Sequence, residues 1–254
     1  MKIRRRQAAL VAQVRKRGRV SVDELAALLG ASRETIRRDL TELARQGRVD
    51  KVHGGATMPR VFGEGPFQQR MTENADAKMR IARAAAGLFA AGKTLFVDTG
   101  STTVYFAEEL ARAPELTVVT NSVEVARILA GARNGHRVFL LGGEYAPGNS
   151  QTIGTMVAAQ IRAFRAHHAV LAVGALDARS GAMDFDIEEA QVARAMIERA
   201  ERVTVLADAS KFDALASFEV CPLARIDRLV CDAPPPEALA RGLVEAGAEI
   251  ALAP

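Results

Sequence analysis

Ser32-Arg33-Glu34-Thr35-Ile36-Arg37-Arg38-Asp39-Leu40 reads as the opening of a helix with two unlike faces. Ser32 stands where an N-cap belongs, since its hydroxyl can accept from an otherwise unpaired amide of the first turn. Glu34 in that turn suits the positive end of the helix dipole. Ile36, Leu40 and Leu43 recur at i, i+4 and i+7 and make one apolar stripe. Arg33, Thr35, Arg37, Arg38 and Thr41 are left off the stripe and face outward. A short helix with its back in a core and arginines and hydroxyls on its front has the build of a major-groove reader. An ordinary solvated basic helix would show the same pattern, so its neighbours decide.

Upstream, residues 4–17 read as a helix with Leu10 and Val14 four apart, closed by Gly18. Arg19-Val20 is a short extended piece, and Ser21-Val22-Asp23-Glu24 is a capping box. The box opens a helix expected to bury Leu25, Leu28 and Leu29 and to stop at Gly30. Downstream, Gly47 ends the organising helix, and residues 48–52 alternate with period two. That strand is expected to pair with residues 19–21 as a wing, followed by a turn at His53-Gly54-Gly55. The whole head is a winged helix-turn-helix.

The charge divides along the chain. Residues 1–57 hold 14 Lys or Arg against 6 Asp or Glu, a net +8; the full chain is +4, so the remainder carries −4. A basic head on a mildly acidic body fits a nucleic-acid-binding module joined to something that does not bind nucleic acid. No apolar run approaches the ~18 residues that a membrane span needs, and the arginines at 4–6 are not followed by a signal-peptide core. The expected location is the cytoplasm, with no membrane partner. Cys221 and Cys231 are isolated among apolar residues and read as buried thiols, not as a disulfide or a metal pair. No metal and no cofactor is expected.

Several pieces of the head resemble the DNA-binding domain of the DeoR family of bacterial sugar-metabolism repressors. They are Arg6…Leu10…Val14, Gly18-Arg19-Val20-Ser21-Val22, Glu24-Leu25-Ala26, Ser32-x-x-Thr35-Ile36-Arg37-Arg38-Asp39-Leu40 and His53-Gly54-Gly55-Ala56. The resemblance implies that the third helix enters the major groove, with Arg33, Thr35, Arg37 and Arg38 on DNA and Lys51 and His53 near the wing. By chemistry an arginine can fork onto guanine, while Ser32, Thr35 and Lys51 suit phosphates. Asp39 would be repelled by phosphate and is expected to salt-bridge an arginine inside the domain.

Residues 58–75 contain Pro and Gly and no sustained period, and read as a linker. From 76 to 254 the pattern is regular. Apolar strand-like runs at 94–98, 116–120, 137–141, 169–173, 203–207 and 226–231 alternate with helical stretches at 77–91, 102–112, 122–131, 153–163 and 187–200. Continuous rather than alternating apolar strands argue a Rossmann-like α/β domain, a mostly parallel sheet covered on both faces. Such sheets place ligands beyond the carboxyl ends of their strands. There stand Asp98-Thr99-Gly100-Ser101-Thr102-Thr103, Thr120-Asn121-Ser122, Gly142-Gly143-Glu144, Gly174-Ala175-Leu176-Asp177 and Asp208-Ala209-Ser210-Lys211. A hydroxyl-rich Gly loop at a helix N-terminus offers amides and Ser/Thr donors to a phosphate, and Lys211 adds an ammonium.

The body is similar to the DeoR effector-sensing domain, itself similar in fold to ribose-5-phosphate isomerase. The matching segments are Lys78…Ile81-Ala82, Val97-Asp98-x-Gly100-Ser101-Thr102-Thr103, Val119-Thr120-Asn121-Ser122, Leu141-Gly142-Gly143 and Ala207-Asp208-Ala209-Ser210-Lys211-Phe212. The likeness implies the loop from Asp98 through Thr99, Gly100, Ser101, Thr102 and Thr103 for phosphate, and Lys211 as a second anion contact. Asn121, Gly143, Asp184, Asp186 and Glu189 are candidates for sugar hydroxyls. An isomerase also needs a carboxylate base. An ungapped match puts Gln191-Val192-Ala193-Arg194 at its place, and Glu188 and Glu189 stand one turn earlier.

The expected function is a ligand-gated transcription factor, usually a repressor, with double-stranded operator DNA and a phosphorylated sugar or polyol as partners. Met183-Asp184-Phe185-Asp186 and Cys231-Asp232-Ala233-Pro234-Pro235-Pro236 resemble segments of glycerol-3-phosphate-responsive members, which makes glycerol 3-phosphate the first effector to consider. A homodimer or homotetramer would present two heads to a repeated site. The alternatives are a sugar-phosphate isomerase with an attached DNA-binding head, and a constitutive DNA binder whose sensor has lost its ligand.

Overall fold

A computed structural model describes residues 3–17, 19–45, 49–52, 54–57 and 65–254. Two compact units divide the chain, residues 1–61 and 62–254. In the first, α1 (Ile3–Arg17), β1 (Arg19–Ser21), α2 (Val22–Leu29), α3 (Arg33–Arg45), β2 (Asp50–Val52) and β3 (Gly55–Thr57) follow in order. The capping box forms: the Ser21 amide donates to Glu24 Oε2 at 2.8 Å and the Glu24 amide to Ser21 Oγ at 3.2 Å. Those donors hold the Glu24 carboxyl below its usual range. Gly30 ends α2 at φ 60°, the left-handed conformation that a side chain disfavours.

Leu10, Val14, Leu25, Ile36, Leu40 and Leu43 meet in one core, with Val20, Val49 and Ala56 from the extended segments. Two expectations need correcting. The strand at 50–52 does not pair with 19–21; β3 lies between them, in the order β1-β3-β2. A turn at Gly54 (φ 75°) folds β3 back against β2, and its other edge is taken by β1. A Cβ on Gly55 would sit 2.3 Å from the Val20 carbonyl oxygen, so only glycine lets the strands meet there. Leu28, expected inside, is 46% exposed. Gly18, Gly47 and His53 lie outside the described residues.

Of the stretch read as a linker, residues 58–64 are likewise outside the described ones, but Phe67–Thr72 is a helix, α4. Phe67 and Met71, four apart, pack into the core of the second unit. There follow α5 (Ala75–Ala86), β4 (Thr94–Val97), α6 (Ser101–Leu110), β5 (Thr117–Thr120), α7 (Val123–Ala130), β6 (Arg137–Leu140), β7 (Glu144–Ala146) and β8 (Gln151–Ile153). Then come α8 (Thr155–Ile161), β9 (Ala166–Ala172), β10 (Ala175–Asp177), β11 (Gly181–Asp184), α9 (Ile187–Glu198) and β12 (Ala200–Ala207). The chain ends with β13 (Phe218–Cys221), β14 (Arg228–Cys231), α10 (Glu237–Glu245) and β15 (Glu249–Leu252).

Seven strands form one parallel sheet in the order β15-β14-β12-β9-β4-β5-β6. Alternation along each strand sends neighbours to opposite cores. Leu95, Val97, Val118, Val170, Leu206 and Val230 join α5, α6 and α7 on one face. Phe96, Val119, Leu171, Val205 and Leu229 join α8, α9 and α10 on the other. Both parities are buried, which is why these runs read as continuously apolar. Two smaller antiparallel sheets, β7-β8 and β10-β11-β13, supplement the main one.

Cys221 and Cys231 are both buried and both free. Burial pushes each thiol up to about 11. At pH 8 both stay protonated and shielded, so the native protein should react with a thiol reagent far more slowly than the denatured chain. Fast modification of either cysteine in the native protein would contradict this packing.

Candidate DNA-reading surface and anion pocket

Ser32 caps α3 as its position suggests: the Thr35 amide donates to Ser32 Oγ at 3.1 Å, and the two hydroxyl oxygens lie 2.8 Å apart. Ile36, Leu40 and Leu43 are buried, so the opposite face is turned to solvent. Arg33, Arg37 and Arg38 are exposed on it. Arg33 pairs with Asp23 at 2.6 Å and Arg38 with Glu34 at 3.3 Å, with all four side chains more than 60% exposed. Solvated pairs of this kind contribute only about 0–1 kcal/mol, so either arginine can exchange its partner for a phosphate or a base. Arg37 has no ion-pair or hydrogen-bond partner for its side chain among the described residues.

From β2, Lys51 donates to Thr41 Oγ1 at 3.1 Å, which places its ammonium beside the middle of α3. Asp39 lies on the core side, 6% exposed, and binds Arg6 Nε at 2.5 Å with Gln7 nearby. That hydrogen bond raises the Arg6 guanidinium above its ordinary value. Asp39 therefore ties α1 to α3, the internal salt bridge expected of it.

In the second unit the carboxyl ends of β4, β9, β11 and β12 converge with the N-termini of α6 and α9. The Asp98 carboxylate accepts from the Ala172 amide, at 3.0 Å through one oxygen and 3.2 Å through the other, closing the end of the β4–β9 pair. Gly100 then passes so close to β9 that an added Cβ would lie 2.6 Å from Ala172 Cβ. Helix α6 starts at Ser101 with no side-chain cap, so its first-turn amides and its positive dipole end are offered to an external acceptor. Thr99 is 8% exposed and its Oγ1 has no hydrogen-bond partner among the described residues. A buried hydroxyl without a partner is costly unless a ligand supplies one.

A small cavity opens here, lined by Thr99, Gly100, Ser101 and Thr102 together with Lys211 and Arg70. Asp184, Glu189 and Gly174 complete it with Ala172 and Val173. Of the residues singled out in the sequence, seven meet in this cavity. The other five take different positions. Thr103 is fully buried and donates to the Gly100 carbonyl at 3.0 Å. Asp98 fixes the loop from behind through Ala172. Asn121, 1% exposed, donates to Gln151 and to the Thr152 carbonyl, joining β5 to β8. Gly143 is packed where a Cβ would meet the Ile153 carbonyl oxygen at 2.6 Å. Asp186 caps α9 through the Glu188 amide at 2.8 Å.

Arg70 is the lining residue that the sequence did not offer. It comes from α4, within the supposed linker, and Phe67 with Met71 at i+4 is the one signal that could have marked a helix there. Glu189 is held as an acceptor by the side-chain amides of Asn149 and Gln151, the latter at 2.6 Å. A larger cleft on the same sheet edge holds Asp76, Asp208 and Asp232 against a single Arg80. Its charge disfavours an anion, so the smaller cavity is the candidate phosphate site. Among the described residues no cluster of three or more His, Cys, Asp or Glu could hold a metal ion, and no helix is long and apolar enough to cross a membrane.

The sequence profile of the DeoR-like helix-turn-helix domain matches residues 6–61, and that of the DeoR C terminal sensor domain matches residues 73–233. The HTH-type transcriptional repressor CsqR of Escherichia coli (strain K12) is 34% identical, covering 97% of this chain and 94% of its own. The glycerol-3-phosphate regulon repressor of the same organism is 33% identical, covering 96% and 97%. A putative aga operon transcriptional repressor of Escherichia coli O157:H7 is 30% identical, over 97% and 93%. Among solved structures, ribose 5-phosphate isomerase A from Methanocaldococcus jannaschii aligns at a TM-score of 0.40 with 17% identity, covering 55% of each chain.

Proposed function

The chain belongs to the DeoR family of transcriptional regulators, and from that premise we propose that it represses sugar or polyol metabolism genes until a phosphorylated sugar or polyol releases it from its operator. Relatives matching nearly the whole chain are named as transcriptional repressors, so it is a regulator and not an isomerase. The observation that supports the effector class best is that one small cavity is lined by the uncapped start of α6, by Lys211 and by Thr99, whose hydroxyl has no partner among the described residues. A helix N-terminus, hydroxyl donors and an ammonium together form a phosphate receptor. Asp184 and Glu189, which line the same cavity, suit hydroxyl groups of the same molecule.

On the DNA side, Arg33, Arg37 and Arg38 face the major groove, with Arg37 first to reach a base because its side chain has no polar partner among the described residues. Ser32, Thr35, Lys51 and His53 hold phosphates. Two heads on one homodimer or homotetramer read a repeated site in the cytoplasm. Glycerol 3-phosphate is the first effector candidate, since a relative 33% identical is named for that regulon. Calorimetric titration of the full-length protein with glycerol 3-phosphate and with pentose and hexose phosphates tests the effector class. One phosphorylated compound should bind, and its unphosphorylated counterpart about a hundredfold more weakly or not at all. Equal binding of the two would sink the phosphate assignment.

A further inference from the structure

Arg70 sits 8% exposed at the edge of the phosphate-receptive cavity, yet it belongs to α4, the first element of the second unit in chain order. Its Nη2 donates to Asn149 Oδ1 at 2.8 Å, and its guanidinium carbon lies 5.5 Å from the centroid of the Phe67 ring one turn back. The helix that bears it is tied down at its C-terminal end by side chains from two other helices. Lys78 Nζ of α5 donates to the Arg70 carbonyl at 2.5 Å, and Tyr105 Oη of α6 to the Met71 carbonyl at 2.7 Å. Tyr105 is one turn beyond Ser101, so the helix whose start forms the anion receptor also grips α4.

We propose that Arg70 is a direct phosphoryl ligand, and that its engagement makes α4 the element through which cavity occupancy reaches the chain leading to the DNA-binding head. This rests on the phosphate reading of the cavity. A guanidinium presents two parallel N–H donors to a phosphoryl group, which one ammonium cannot do. Lining the cavity together with Ser101 and Lys211, it supplies the second cation for a dianion. An anion drawing Arg70 toward Ser101 competes with Asn149, the residue that also donates to Glu189. Because Arg70 lies on α4, that exchange changes the restraint on a helix immediately downstream of residues 58–64. Coupling of this kind needs only that the ligand prefer one of the two arrangements.

The test uses the full-length protein in phosphate-free buffer, with inorganic phosphate and then glycerol 3-phosphate as probes. Calorimetry on wild type, Lys211→Ala, Arg70→Ala and Arg70→Lys reads the site. Arg70→Ala should weaken phosphate about ten- to a hundredfold. Arg70→Lys, which keeps the charge and loses the fork, should fall between, with a ligand-free melting temperature near wild type. Hydrogen exchange across residues 67–73 should slow on phosphate binding in wild type and stay unchanged in Arg70→Lys at the same phosphate concentration. Weakening by Lys211→Ala together with wild-type binding by Arg70→Ala and Arg70→Lys would overturn the role of Arg70 and leave the site standing. Should wild type bind neither probe, the site and this inference fall together. If Arg70→Ala does not fold, wild-type phosphate affinity in Arg70→Lys alone overturns the proposal. Unchanged exchange at 67–73 in saturated wild type would refute the role of α4.

Discussion

A double Arg37→Ala, Arg38→Ala variant should lose operator affinity by about a hundredfold or more while melting like the wild type. Each arginine that forks onto a base contributes about 1–3 kcal/mol, and one that holds a phosphate contributes through counterion release. Nothing in the fold depends on either side chain. The Arg37 side chain has no polar partner among the described residues, and Arg38 pairs with Glu34 in full view of solvent. Ile36, Leu40 and Leu43, which seat the helix, are untouched. Anisotropy of a labelled operator at several salt concentrations separates the roles. Loss of a phosphate contact lowers the salt slope by about one per residue, whereas loss of a base contact relaxes sequence preference. Wild-type operator affinity in the double variant would remove α3 as the reading helix.

Gly100→Ala should silence the effector response without weakening DNA binding. The new methyl would lie 2.6 Å from Ala172 Cβ and 3.4 Å from Thr103 Oγ1. Ala172 has no flexible side chain to swing aside, and its amide is already gripped by Asp98. The loop must therefore move away from β9, taking the first-turn amides of α6 with it. Overpacking of this kind costs about 1–3 kcal/mol of stability, which leaves a domain of this size folded. The receptor is less forgiving, since a binding constellation works only within about 0.5 Å of its proper geometry. We expect phosphate affinity to fall about tenfold or more, as for the loss of one charge-assisted hydrogen bond. The first unit, which matches the helix-turn-helix profile, is left intact. An unshifted effector titration would show that the loop does not hold the anion.

The elements that could be read directly were those whose periodicity and punctuation agree. In α3 the stripe of Ile36, Leu40 and Leu43 coincides with a Ser cap, and in α2 a capping box coincides with a closing Gly30. The strands of the parallel sheet announced themselves because both parities are buried, as Leu95, Phe96 and Val97 show. Elements half exposed or very short did not. Strand β15 places Glu249 and Leu252 in solvent at the sheet edge, so its apolar signal is diluted. Helix α10 buries Leu239 and Leu243 but is short and follows three prolines; Pro236 stands at its N-cap, where a missing amide costs little.

The cavity follows the same division. Thr99 to Thr102 and Lys211 were visible because a Gly–hydroxyl loop before a helix and a lysine after a strand have a chemical meaning that survives without coordinates. Asn121 and Gly143 look equally plausible in a loop. What separates them is the direction of packing, toward the β7–β8 hairpin and α8, which local sequence does not encode. Arg70 was hidden for a different reason: six residues of helix are too few to show a period. Its meaning comes from neighbours such as Tyr105 and Asn149, far along the chain.

The most direct test is anisotropy of the full-length protein on DNA from upstream of its own gene, titrated with glycerol 3-phosphate, pentose and hexose phosphates, and the corresponding free alcohols. A phosphorylated compound should release the DNA at concentrations where its free alcohol has no effect. Tight binding that every compound leaves intact, or release by free and phosphorylated forms alike, would contradict a phosphate-gated repressor.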